Sequence, residues 1–339
     1  MKIRMTDEEL LDRLQNCPEF NPWLEVADRW LDELEGGSHK GDFTHPNDEN
    51  KIELYNTKLN DAFPGKRSSK RLKNNSYRKN QPTNADLELI LNLLPQPFIG
   101  DPRSPIWILL RNPGYSAIDV YDLTSIPGGK NAIKKEGLIS VRDLRFHNQG
   151  NENQVLLQRQ QLVCRQLKFD LDEGKEFYIL RDKFNTLELK EGHNRSRKVL
   201  GGYNWYDKYL FPENGCLSRF SNRTSRSNRT IHLKIASKRI FVLEYDPYHS
   251  RAYFESNVDF AHHILWKNLI EYGIKSKIII VRGRDILDHI RESISSDDLF
   301  KTSNERRLFV FKGQSASMSI NNMYWPCLNG DPSNPLARQ

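Results

Sequence analysis

Four short apolar runs each lead into residues able to do chemistry. Arg111-Asn112-Pro113-Gly114-Tyr115-Ser116 follows the run 106–110, and Glu244-Tyr245-Asp246-Pro247-Tyr248-His249-Ser250 closes the run 240–245. Arg282-Gly283 follows 277–281, and Gly313-Gln314-Ser315-Ala316-Ser317-Met318-Ser319 follows 308–311. An asparagine oxygen can orient a water but is a poor general base, so Asn112 would act by placement. Gln314 can donate to a developing oxyanion but cannot carry a positive charge. Glu244 and Asp246 can accept hydrogen bonds from an amine, and His249 can orient such a carboxylate or contact a phosphate. The competing use of the two carboxylates is a structural ion pair with Arg111 or Arg282. Arg111 can neutralise Glu244 or hold a substrate phosphate.

These residues need a scaffold that brings strand ends together. Ile106-Trp-Ile-Leu-Leu110 is short, apolar throughout and flanked by turn residues, as is a strand buried on both faces of a parallel sheet. Ile240–Tyr245, Lys277–Val281 and Leu308–Phe311 read the same way. Helical patterns at Asn257–Tyr272 and Asp285–Ile294 separate the last three, which implies right-handed βαβ units. The expected fold is therefore α/β, with a central, mostly parallel four-stranded sheet. Ligands of such sheets bind outside the carboxyl ends of the strands, where the residues above lie. Further helices are expected at Thr6–Gln15 and Pro22–Glu35, a polar loop at 37–50, and a helix at Ala85–Leu94 capped by Asn84. A long, largely polar insertion follows the first strand at about 117–238, with one helix near Gln154–Asp170. The division expected is an N-terminal helical extension and basic segment, 1–83, and an α/β domain, 84–330.

The charge distribution points to a polyanionic partner. Lys plus Arg number 51 against 44 Asp plus Glu, a modest excess of +7. Two stretches contain no carboxylate at all. Residues 62–85 carry Lys66, Arg67, Lys70, Arg71, Lys73, Arg78 and Lys79; residues 214–243 carry Arg219, Arg223, Arg226, Arg229, Lys234, Lys238 and Arg239. Asn, Ser and Tyr between them can donate to phosphate oxygens, and each neutralised phosphate releases counterions. A solvated basic loop is the plainer alternative. The four cysteines, at 17, 164, 216 and 327, form no CxxC, so neither an iron–sulfur nor a zinc site is expected, and no cofactor is expected for the reading below. The polar start leads into an acidic helix rather than a signal peptide, and no apolar run approaches the ~20 residues that cross a bilayer. A cytoplasmic setting and no membrane partner are expected.

The order of the strand-end loops resembles the uracil-DNA glycosylase superfamily. In that family the first strand leads into a water-positioning loop, often Asn-Pro-Gly, matched here by Asn112-Pro113-Gly114. The last strand leads into a loop of the type His-Pro-Ser-Pro-Leu-Ser or Asn-Pro-Ser-Gly-Leu-Ser, matched by Gln314-Ser315-Ala316-Ser317-Met318-Ser319. Pro95-Gln-Pro-Phe-Ile-Gly-Asp101 resembles the lead-in of some bacterial members. The likeness covers about 95–120 and 238–323. Gln314 stands where histidine or asparagine is usual, and Met318 where the leucine wedge is usual. Asp246-Pro-Tyr-His249 repeats letters of the family's best-known catalytic loop, but after the second strand instead of the first.

The resemblance implies a three-layer αβα fold and hydrolysis of an N-glycosidic bond after the target nucleotide leaves the stack. Asn112 and Gln314 would be catalytic, one holding the water and the other facing the departing base. Arg111, Gly114, Tyr115, Glu244, Asp246 and His249 would bind substrate. Ser315, Ser317, Met318 and Ser319, with Lys70, Arg71, Arg223 and Arg226, would contact DNA, Met318 filling the gap left by the base. Gly114 replaces a tyrosine that blocks the pyrimidine C5 substituent in strict uracil enzymes. A carboxylate at the end of the second strand favours cytosine N4. Together these imply a C5-modified cytosine, hydroxymethylated or glucosylated as in phage DNA, and a role in anti-phage defence for a monomeric enzyme. The insertion, with Tyr203, Trp205 and Tyr206, would hold a sugar. No lysine is clearly placed for Schiff-base chemistry, so hydrolysis without strand cleavage is expected. The alternatives are repair of uracil or another deaminated base, an inactive nucleic-acid-binding protein of the same fold, and a metal-dependent nuclease.

Overall fold

The computed structural model describes residues 5–37, 42–62, 87–89, 91, 94–111, 161, 163–170, 239–250, 254–311 and 323–324. The chain is a mixed α/β structure around one sheet. Its strands are β1 (Phe98–Ile99), β2 (Ile106–Leu110), β3 (Ile240–Glu244), β4 (Ile278–Arg282), β5 (Leu308–Phe311) and β6 (Met323–Tyr324). They lie in the order β1-β3-β2-β4-β5-β6. The four apolar runs are the parallel strands β3, β2, β4 and β5, and β1 and β6 pair antiparallel at the two edges. The sheet is thus six-stranded, which corrects the expectation of four. The edge strands are two residues each, too short for any alternating pattern to show.

Among the described residues the helices are α1 (Asp7–Asn16), α2 (Trp23–Glu35), α3 (Glu49–Ala62), α4 (His262–Ser276), α5 (Arg284–Ser293) and α6 (Ser296–Asn304), with one 3-10 turn at Pro46–Asp48. α1 starts where Thr6 accepts from the Glu9 N–H while the Glu9 carboxylate accepts from the Thr6 N–H, a reciprocal cap that satisfies two end donors. α4 begins at His262, five residues later than the apolar spacing suggests. Asn257 takes a positive φ of 50°, and residues 254–260 form no helix or strand. α3 occupies most of a stretch where loop and basic residues were expected to meet. It buries only Ile52, Tyr55 and Leu59, a stripe too thin to stand out.

One apolar cluster runs from Leu10, Leu14, Trp23 and Trp30 through all four parallel strands to Ile286 and Ile290. Burying each such side chain contributes about 1.5–3 kcal/mol. Trp107 lies flat enough against α4 that a methyl at Gly273 would come within 2.7 Å of its ring. That contact puts the odd-numbered residues of β2, and so Arg111 just beyond it, on the side of the sheet that α4 covers.

The N-terminal helices pack onto the segment that follows β3. Asp48, fully buried, accepts from the Tyr248 hydroxyl (2.8 Å) and the Ala261 N–H (2.7 Å). The Tyr248 oxygen accepts from the His45 N–H at 3.1 Å. Trp23 donates its indole N–H to His262 Nδ1 at 3.3 Å. Because an indole only donates, the His262 proton sits on Nε2 and is given to the Glu244 carbonyl at 2.9 Å. Among the described residues no helix is long and apolar enough to cross a membrane.

Candidate functional site

Strand order decides where the site falls. The chain leaves β2 toward β3 on one side and leaves β4 toward β5 on the other, with β2 and β4 adjacent. Connections that part in this way open a crevice at the carboxyl ends of the two strands, as in doubly wound sheets generally. Arg111, just past β2, and Gly283 and Asp285, just past β4, flank that crevice. β5 runs parallel to β2 with only β4 between them. Their carboxyl ends therefore share one edge, about 10 Å apart.

Arg111 pairs with Asp285 in the first turn of α5. The sequence pointed to Glu244 or a phosphate as its partner, and the ion pair with Asp285 had no sequence signal beyond an acidic residue near a helix start. Gly283 makes the approach possible. Its φ is +138°, and a methyl there would lie 2.7 Å from Asp285 Oδ1 and 3.2 Å from Arg111 Nε.

Glu244 and Arg282 are the last residues of β3 and β4, both buried. Glu244 is in register with Leu110, and the Val281–Leu109 pairing puts Arg282 on the other flank of Leu110. Their side chains therefore emerge on one face, opposite to that of Arg111. The Arg282 guanidinium lies 5.6 Å from the Phe311 ring centroid.

Asp246 belongs to a tighter group. Its N–H donates to the Arg111 carbonyl at 2.7 Å, which extends the β2–β3 pairing past the strands. The carboxylate is buried, with Oδ1 3.6 Å from His263 Nε2. His263 Nδ1 lies 3.0 Å from Asp259 Oδ1, and the Asp259 side chain is 90% exposed. Between them Tyr245 is held as the middle of a sandwich. Its ring stacks on His289 of α5 at 3.7 Å between centroids and on His263 at 4.2 Å, with Trp266 edge-on at 5.2 Å. Both faces of Tyr245 are therefore used, and it cannot stack on a base.

The electrostatics follow from burial and these neighbours. Burial pushes the Asp246 carboxyl above its ordinary value; His263 and His289 pull it back and Asp285 adds to the rise. Burial works against charge on His263, but Asp246 and Asp259 outweigh it and hold that imidazole above its usual value. Burial, followed by the charge of His263, drives His262 down to about 3 against its bond to the Glu244 carbonyl. Two adjacent histidines thus do opposite jobs. His262 is a neutral link in the core, while His263 is largely covered and shared between two carboxylates.

His249, expected at the substrate, is buried and places Nε2 3.1 Å from the Leu94 carbonyl. The other expected site residues, Asn112, Gly114, Tyr115, Gln314, Ser315, Ser317, Met318, Ser319, Lys70, Arg71, Arg223 and Arg226, lie outside the described residues. The structure brings Arg111 and Asp246 together across one backbone hydrogen bond and adds Asp285, His263 and His289, which sequence reading did not assign to the site. The Asp259–His263 spacing of one helical turn was available in the sequence as a pairing signal. The Tyr245–His289 stack, over more than forty residues, was not. Cys164 is buried, and its thiol is pushed up to about 12 by that burial, which makes it inert. No family model matches the chain, and no curated protein or solved structure matches it either.

Proposed function

We propose that this protein is a DNA glycosylase of the uracil-DNA glycosylase type, with a three-layer αβα core. It hydrolyses the N-glycosidic bond of a flipped-out, C5-modified cytosine in phage DNA and leaves an abasic site. The observation that carries this reading is the shared edge of β2 and β5. Strands that end together launch the Asn112 and Gln314 loops from the same side of the sheet, as a site built from both requires. Had β5 run antiparallel to β2, that site could not exist.

The buried acidic groups at the end of β3 support the choice of base. Carboxyl groups there accept from an exocyclic amine, which cytosine has and uracil lacks. Asn112 holds the attacking water, Gln314 faces the negative charge that builds on the base, and the two basic stretches grip the phosphates. Neither a metal nor a cofactor has a part in the scheme.

The test is base release. Purified protein is incubated with phage DNA carrying hydroxymethylated or glucosylated cytosine and then treated with alkali. Strand breaks that need the alkali step, and that vanish in Asn112→Ala, are the expected result. Tight binding without any abasic product would make the chain a binding protein, and magnesium-dependent cutting without alkali would make it a nuclease.

A further inference from the structure

We infer that Asp259, His263 and Asp246 form a proton relay from bulk water to the substrate base, with Asp246 as the acid that reads and protonates a cytosine ring. The inference rests on the glycosylase reading of the same edge and goes beyond it in naming the proton donor and the form in which it works.

The geometry is a line from solvent to interior. Asp259 is exposed and lies 3.0 Å from His263 Nδ1. The other ring nitrogen, Nε2, faces Asp246 Oδ1 at 3.6 Å. That second distance is longer than a hydrogen bond, as catalytic contacts often are before substrate binds. Asp246 ends the line at the carboxyl edge of β3, joined through its backbone to Arg111 at the crevice. The titratable groups facing it come from every element packed around it: His263 of α4, His289 and Asp285 of α5, Tyr245 beside it and Tyr55 of α3. Burial with little water around it, and the Asp285 carboxylate nearby, push the Asp246 carboxyl toward its neutral form, against the pull of His263 and His289.

A neutral carboxyl matches cytosine better than an ionised one. Its carbonyl oxygen accepts from the N4 amine while its O–H donates to N3, two bonds to one edge. Uracil already carries a hydrogen on N3, so the acid finds no site there to protonate. The step then balances as follows. Asp246 gives its proton to N3, the C1′–N1 bond breaks, and the electron pair stays on N1, so the base departs neutral rather than as an anion. Water adds to C1′ and releases its own proton to solvent. His263 returns a proton to Asp246, and Asp259 draws the replacement from bulk water. Cytosine is the base that needs this help, because its anion is a poorer leaving group than that of uracil.

Two oligonucleotides serve as probes, one with a single 5-hydroxymethylcytosine and one with a single uracil, in single-turnover assays over a pH series. The wild type is expected to lose rate as pH rises through the titration of Asp246. Asp246→Asn keeps both hydrogen bonds but has no proton to give. The expected result is an unchanged half-saturating concentration with a rate on the cytosine probe lower by about 10²–10⁴-fold, and a smaller loss on uracil, which takes no proton at N3. His263→Gln removes the cation that holds the Asp246 pKa down, so the falling limb should move to higher pH. Thermal midpoints report folding, and if Asp246→Asn does not fold, the His263→Gln limb decides. A wild-type rate in Asp246→Asn, or an unmoved limb in His263→Gln, overturns the relay and leaves the glycosylase standing. No abasic product from the wild type on either probe overturns the glycosylase reading itself.

Discussion

Replacing Asp48 by alanine should cost more stability than its place on a short 3-10 turn suggests. The side chain is fully buried and serves two donors, the Tyr248 hydroxyl at 2.8 Å and the Ala261 N–H at 2.7 Å. Lys51 Nζ lies 3.6 Å away and gains little from so distant a pairing at the surface. Ala261 is the residue before α4, and no helix partner exists for its N–H, so alanine leaves it without an acceptor. An unmet buried donor costs about 1–3 kcal/mol. Two of them, with the space left by the carboxylate, give a loss on the order of 3–5 kcal/mol. Urea unfolding followed by tryptophan fluorescence measures it. At a slope of about 3 kcal/mol per molar urea the midpoint falls by roughly 1 M or more with the slope unchanged. Leu54→Ala, at an exposed position of the neighbouring helix, is the control and should change stability by less than about 0.5 kcal/mol. A fall below about 1 kcal/mol for Asp48→Ala would refute the argument, because it would mean that neither donor depends on this acceptor.

Gly283→Ala should be destabilising in its own way. The φ of +138° is closed to alanine, and the added methyl meets Asp285 Oδ1 at 2.7 Å, so a loss of about 2 kcal/mol or more in a thermal or urea melt is expected. A gain in midpoint, as from an ordinary glycine-to-alanine change, would sink it. His262→Gln should alter the dependence of stability on pH. Folding holds the His262 pKa down at about 3, below the unfolded value of 6.5. The contribution is therefore whole above pH 6.5 and is lost as pH falls toward 3, at about 1.4 kcal/mol per pH unit. His263 has a raised pKa and works in the opposite sense. The difference between wild type and His262→Gln isolates the first effect, and parallel stability–pH curves between pH 6 and 4 would contradict it.

The parallel strands could be read from sequence because each is buried on both faces. Ile106–Leu110 and Leu308–Phe311 announce themselves as unbroken apolar runs, and the structure has strands at those same residues. What could not be read depends on contacts between distant parts of the chain. Asp48 looks like a loop residue until Tyr248 and Ala261 fold onto it. Asn257 looks like the start of a helix because Val258 and Ala261 keep the apolar spacing, yet its positive φ delays α4 to His262, where the Trp23 and Glu244 bonds fix the ring. The same bonds tie the start of the chain to the end of β3. His263 then follows from His262 by geometry alone. Adjacent helical residues point about 100° apart, so once His262 is locked inward on the Glu244 carbonyl, His263 is turned toward Asp246 and Tyr245. The placement of the acidic group at the crevice thus depends on tryptophan packing at the other end of the sequence. Trp23→Phe, which removes the indole N–H together with the volume of the second ring at a fully buried position, would loosen it.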